Sequence, residues 1–260
     1  MSGIGFSELL LIAGIIVLFF GSKELPGLMR TVGRFTAQIR RYSDQVRNEI
    51  NGAMRTIDPP LAASVNPAVQ QKKVLRKQYR LARASITVDD QLLRSGQVAS
   101  HLQNHPAFQS ARAVMVYCSI VNEVSTTEII NLILSKGKRL IVPYCREEIR
   151  SLGIAAVTDP AIELKVGFKG IDEPMPSIRD NFFKSDLELI VCPGVSFDRM
   201  GRRLGQGGGY YDNFLRELKG HVPIWGIGFD CQIHAEQLPF DYHDIVMDQV
   251  VTESGLLISR

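Results

Sequence analysis

The chain has 260 residues, 45 % of them hydrophobic, enough apolar surface to bury a core and to exclude a disordered or fibrous polymer. Its formal charge is only +3, from 30 Lys/Arg against 27 Asp/Glu; with no basic and aromatic interleaving, this excludes the strongly basic face that nucleic-acid binding requires. Cys118, Cys145, Cys192 and Cys231 form no C-x-x-C pair, so neither a zinc site nor a redox motif is spelled out, and they read as core thiols in a reducing compartment.

The first element in chain order is apolar. From Ile4 to Phe20 only Ser7, Glu8 and glycines interrupt it, and the part from Leu9 to Phe20 is twelve residues long. A membrane span usually needs about 20 residues, and a run of about 10 to 14 is also what a buried helix or a signal-peptide core presents. A secretory signal wants cations ahead of its apolar core, whereas the first basic residue here is Lys23 and GSKELPG offers no small-x-small cleavage site. After Pro26, a favoured first helical residue, apolar side chains recur at Leu28, Val32, Phe35, Ile39, Tyr42, Val46 and Ile50, flanked by Arg30, Arg34, Arg40, Arg41 and Arg47. A soluble core would accept such a stripe. With a hydrophobic segment directly ahead of it, the pattern favours a helix lying in a lipid interface. Basic residues crowd only the C-terminal flank, which predicts a single pass through the cytoplasmic membrane with the C-terminal part in the cytoplasm.

GFSELLLIAGIIVLFFGSKELPGLMRTVGRF resembles the small Tat translocase subunits of the A/B type, in which a short membrane helix, a polar hinge and an amphipathic helix follow one another. Phe20-Gly21 and Leu25-Pro26 match the hinge signature and Glu8 a polar position near the start of the membrane helix. The resemblance implies contact with the lipid bilayer through residues 4–50 and with other Tat subunits. It also implies a short helix that acts by thinning the bilayer.

Residues 51–70 hold Pro59, Pro60 and Pro67 among Ala, Ser and Asn and read as a linker between residues 1–50 and a domain over 71–260. KKVLRKQYRLARASI, from Lys72, reads as a basic helix. Beyond it, apolar runs at Ala113 to Ile120, Arg139 to Val142, Leu187 to Cys192 and Ile224 to Phe229 alternate with helical patterns such as Thr126 to Lys136 and Tyr210 to Leu218. That alternation predicts a three-layer α/β domain with a largely parallel sheet.

The densest motif is RLGQGGGYYD, Arg203 to Asp212, which follows LELIVCPGVSFDRMG and leads into YYDNFLREL. A glycine-rich connection before a helix lets backbone amides approach a phosphate. It is neither a Walker loop nor a dinucleotide fingerprint, and glycines alone would also suit a flexible surface loop. Arg203 supplies a charged fork for phosphate oxygens, and Asp212, nine residues on, suits a magnesium ion with one partner such as Asp244. Read alone, Asp212 is equally a helix cap and Asp244 a solvated loop acid. His101, His105, His221, His234 and His243 show no ligand-like spacing, and we expect no catalytic role for them.

From about Lys72 to Glu253 the chain resembles the 5-formyltetrahydrofolate cyclo-ligases, or methenyltetrahydrofolate synthetases. The likeness is carried by KKVLR, SIVNEVSTTEI, PGVSFDRMGRRLGQGGGYYDNFL and HDIVMDQVVTE. It implies ATP as co-substrate, held by Lys72, Arg76, Arg203, Leu204, Gly205, Gln206, Gly207, Gly208, Gly209, Tyr210 and Tyr211. It implies a reduced folate on Ile120, Ser125 and Tyr210, Mg2+ on Asp212 and Asp244, and catalytic roles for Arg203 and Asp212. In one departure, Ser125 stands where the family commonly carries an acid that could hold the pterin ring; Glu123 is its neighbour. The resemblance implies that the formyl oxygen attacks the γ-phosphorus of ATP, after which N10 closes on the activated carbon and phosphate leaves. Two readings from different classes follow: a folate ligase tethered to the membrane, and a twin-arginine translocase component with an incidental or inactive ligase-like domain.

Overall fold

The structure, a computed structural model, describes residues 67–257. The expected membrane helix, the amphipathic helix and most of the linker lie outside the described residues. Among the described residues no helix is long and apolar enough to cross a membrane.

In chain order, α1 (Pro67–Ala84), α2 (Val88–Asn104) and α3 (Pro106–Ser110) lead into β1 (Ala113–Val116), α4 (Thr127–Ser135), β2 (Arg139–Arg146) and β3 (Ser151–Val157). A short helix α5 (Pro160–Glu163) and the hairpin β4 (Leu164–Val166) and β5 (Asp172–Pro174) follow. Then come β6 (Leu189–Pro193), β7 (Ser196–Asp198), β8 (Arg203–Leu204), α6 (Tyr210–Leu215), β9 (Ile224–Ile227), β10 (Ile233–His234), β11 (Gln249–Thr252) and β12 (Gly255–Leu256). Because α1 starts at Pro67, the last four residues read as linker form its first turn.

The main sheet runs β12-β11-β9-β6-β1-β2-β3. Its β11, β9, β6, β1 and β2 are mutually parallel, and antiparallel β3 and β12 close its edges. The period-2 alternation of strands sends Val114 and Val116 into one core with Val98, Leu102, Ile129 and Ile133 of α2 and α4. Ala113 and Met115 enter a second core with Phe197, Phe214, Leu215 and Leu218. Both faces are therefore covered, which is why the parallel strands read as continuous apolar runs.

The chain steps from β1 to β2 on one side and later returns to place β6 on the other side of β1. The carboxyl ends of β1 and β6 thus flank a topological switch point, where open α/β sheets hold their ligands. A smaller sheet, β10-β7-β8, projects from the end of β6. Its hairpin is set by Asp198, 1 % exposed, whose Oδ1 accepts from Met200 N and Arg202 N at 2.8 and 2.9 Å and whose Oδ2 accepts from Leu238 N at 2.8 Å.

Helix α1 packs on this hairpin through one stripe. Its buried residues are Lys72, Leu75, Tyr79 and Arg83, at the three- and four-residue steps of a single helical face. Leu75 and Tyr79 join Val195, Leu204 and Leu238 in a small apolar cluster, each stabilising the docking by about 1.5–3 kcal/mol. The charged members of the stripe, with Arg76 beside them, are carried to the switch point.

Candidate active site

Three segments meet outside β1 and β6: the β1–α4 connection, the glycine-rich stretch after β8, and the basic face of α1. The sequence places the glycines between a strand and a helix; in the structure the strand is β8 of the hairpin, not the central β6. Gly207 and Gly209 have φ of 101° and 75°, a left-handed backbone that a side chain would disfavour, and Gly209 is the residue that opens α6.

Helix α1 holds this loop from one side. Arg76 Nε donates to Gly205 O at 2.8 Å and Arg80 Nη2 to Gln206 Oε1 at 2.6 Å. Burial, and then the neighbouring Arg80, lower the Arg76 guanidinium, while the charges of Asp244 and Asp212 oppose this. Lys72, 8 % exposed, donates to Asp241 Oδ2 at 2.8 Å and to Asp244 Oδ2 at 2.6 Å. Burial pulls its ammonium down, yet the two carboxylates outweigh burial and leave it above the usual lysine value.

From below, Arg203 Nη2 bonds Asp212 Oδ1 at 2.7 Å and Nη1 donates to Pro193 O at 3.3 Å. The Arg203 side chain is 3 % exposed, its guanidinium lies 5.4 Å from the Tyr211 ring centroid, and its buried Nε has no partner among the described residues. Burial pushes the Tyr211 phenol well above its ordinary value, which removes it as a proton shuttle near neutral pH. Tyr210 packs against Phe168 with ring centroids 5.8 Å apart. Leu204 commits its side chain to the apolar cluster, leaving only its main chain to a ligand.

The β1–α4 connection carries Ile120 and Ser125, both half-buried. Ser125 N donates to Ser95 Oγ at 2.9 Å and its hydroxyl lies 3.4 Å from Thr127 Oγ1, so serine is used locally. The acid that turns inward is Glu123, 7 % exposed and 3.6 Å from Arg83. Sequence reasoning passed over Arg83 and Arg80, although Arg83 lies on the same helical stripe as Lys72.

Magnesium suits the remaining donors. Asp212 and Asp244 each spend one carboxylate oxygen on a cation or amide, and magnesium takes only one or two carboxylates, completing its shell with water and phosphate. No cluster of three or more His, Cys, Asp or Glu among the described residues would hold a metal without such help.

Three histidines make local structural contacts. His105 caps α3 and meets Trp225 edge-on, His101 bonds Glu253 O, and His234 bonds the Tyr79 hydroxyl at 2.7 Å. Cys192 is buried, while Cys118, Cys145 and Cys231 are only partly so. Burial pushes the Cys118, Cys145 and Cys192 thiols up to about 12, which keeps them protonated and unreactive.

The sequence model described as the 5-formyltetrahydrofolate cyclo-ligase family matches residues 68–253, and that of the mttA/Hcf106 family matches residues 1–49. The chain is 32 % identical to the 5-formyltetrahydrofolate cyclo-ligase of Escherichia coli K12 over 67 % of its own length and 96 % of the relative's. Against the mitochondrial 5-formyltetrahydrofolate cyclo-ligase of Arabidopsis thaliana it is 30 % identical, over 72 % and 76 %. The solved structure of the Aquifex aeolicus 5,10-methenyltetrahydrofolate synthetase superimposes with a TM-score of 0.62 at 35 % identity, covering 71 % of this chain and 91 % of that one. A second, from Mycoplasma pneumoniae, gives 0.56 at 19 % identity, covering 70 % and 98 %, and shares the fold.

Proposed function

The chain belongs to the 5-formyltetrahydrofolate cyclo-ligase family, and on that footing we propose that it uses ATP to close 5-formyltetrahydrofolate into 5,10-methenyltetrahydrofolate, releasing ADP and phosphate. The observation that carries this reading is the convergence at one switch point of a basic helix face, a glycine-rich loop and a buried carboxylate.

A formamide oxygen is a poor leaving group. In the proposed reaction it attacks the γ-phosphorus and ADP departs; N10 then adds to the activated carbon, loses its proton, and phosphate leaves carrying the former formyl oxygen. Phosphoryl transfer asks a protein mainly for alignment and neutralised charge. We assign Arg203, the main chain of residues 204–209, Lys72 and Arg76 to the nucleotide. Tyr210 and Tyr211 pack the loop against it. Asp212 and Asp244 would hold magnesium, which when bound neutralises phosphate charge. We assign Ile120, Ser125 and Tyr210 to the border of the folate and Glu123 as the acid that accepts from its pterin ring.

The test is turnover: full-length protein in detergent micelles, given 5-formyltetrahydrofolate, ATP and Mg2+, forms the methenyl chromophore, and forms none when either ATP or Mg2+ is withheld. ATP-independent or absent conversion would sink the proposal.

The match at residues 1–49 supports tethering of this enzyme to the cytoplasmic face of the membrane, and it also favours a second reading, work within a twin-arginine translocase. Export of a twin-arginine substrate in cells depleted of their own small subunits and supplied with this chain decides between them; no rescue leaves a tether only.

A further inference from the structure

Arg83 is 4 % exposed and Glu123 7 %, so this ion pair is removed from water. Its geometry is loose. Arg83 Nη1 stands 3.6 Å from Glu123 Oε1, beyond hydrogen-bond range, while Nη1 also donates to Gly194 O at 3.5 Å and Nε has no partner among the described residues. The arginine thus lends its charge without occupying the carboxylate's lone pairs. Glu123 Oε2 accepts from Ile120 N at 3.4 Å; with about four acceptor sites in all, the carboxylate retains capacity for a ligand's N–H groups.

A buried carboxylate without a nearby cation takes up a proton and then presents a hydroxyl where a ligand's donor needs an acceptor. The titratable groups facing Glu123 are Arg83 from α1, the Tyr117 phenol beyond β1 and the Tyr211 phenol on α6. Burial holds both phenols well above their ordinary values, so neither brings charge near neutral pH. Burial also raises the Glu123 carboxyl, and Arg83 opposes it.

We propose that Arg83 is a positioning residue that keeps Glu123 ionised, with its acceptors open to the N–H donors of the pterin ring; the inference rests on the placement of reduced folate in this crevice. The experiment follows KM for 5-formyltetrahydrofolate and for ATP against pH in the full-length protein. In Arg83→Met the folate KM rises about tenfold and the acid limb of kcat/KM for folate moves up by about one pH unit, the equivalent of that factor. The ATP KM changes less than about twofold by the same scale, and Arg83→Lys restores part of the loss. An acid limb that stays in place, or equal changes in both KM values, would overturn the proposal. Should Arg83→Met not fold, the Arg83→Met/Glu123→Gln pair leaves no lone buried charge. Its folate KM should equal that of Glu123→Gln alone, and a further rise would show Arg83 acting independently and refute it. Wild-type protein without turnover removes the folate reading and this inference with it; wild-type turnover with an unshifted profile removes the inference alone.

Discussion

Arg203 and Asp212, nine residues apart in sequence, lie 2.7 Å apart across the glycine-rich loop, so the loop is closed by the two groups proposed to work on phosphate and metal. The pairing holds both side chains in place before ligands arrive. It also means that removing either leaves the other's charge unpaired in a site of low exposure.

Arg203→Ala is expected to lower kcat about a thousandfold, the scale on which a cation stabilises a transferring phosphoryl group. Arg203→Lys should fall between, since lysine keeps the charge but has no fork to span Asp212 and Pro193 O. Steady-state rates at saturating ATP, with circular dichroism confirming the fold, test this; an unchanged kcat in Arg203→Ala would take the residue out of the reaction.

Lys72 should anchor α1 in a pH-dependent way. Its bonds hold the Asp241 carboxyl below its ordinary 3.8, a contribution present above that pH and lost as pH falls through the depressed value. Lys72 is raised above 10.5, a contribution present below that pH and lost as pH rises through the raised value. Lys72→Met should therefore lower stability, modestly because the Asp241 side chain is 39 % exposed. Urea titrations should show the difference flat between about pH 5 and 9 and shrinking at both extremes; a difference that grows at either extreme would contradict the assignment.

Asp198→Ala should be mainly a stability variant. It strands the amides of Met200, Arg202 and Leu238, at a cost of about 3 kcal/mol and a fall in Tm of about 6–12 °C. Scanning calorimetry measures this, and a Tm unchanged within error would show that the hairpin is held by other means.

Removal of residues 1–50 should release the chain from membranes without changing its folate KM. Fractionation followed by assay of the soluble pool checks both halves; retention in the membrane pellet would place the anchor elsewhere.

Much of the domain was legible because parallel strands buried on both faces read as unbroken apolar runs: β1, β2, β6 and β9 fall where such runs lie. The edge strand β3 was not, since SLGIAAV carries a glycine and no alternation. The hairpin of β7 and β8 hides inside the motif, where SFDRMGRRL looks like a turn until Asp198 is seen collecting the amides of Met200, Arg202 and the distant Leu238. The glycine-rich loop, Arg203 and Asp212 announced themselves by composition. The Arg83–Glu123 pair could not, because its members are 40 residues apart and only the docking of α1 brings them together. Its one trace was local: Arg83 continues the stripe of Lys72, Leu75 and Tyr79, a position where a surface arginine would be out of place.

The formyl oxygen itself reports on the proposed reaction. With 5-formyltetrahydrofolate carrying heavy oxygen in its formyl group, each turnover by full-length protein should deliver that label to inorganic phosphate, one atom per methenyl product formed. Label released into water, with unlabelled phosphate, would contradict it.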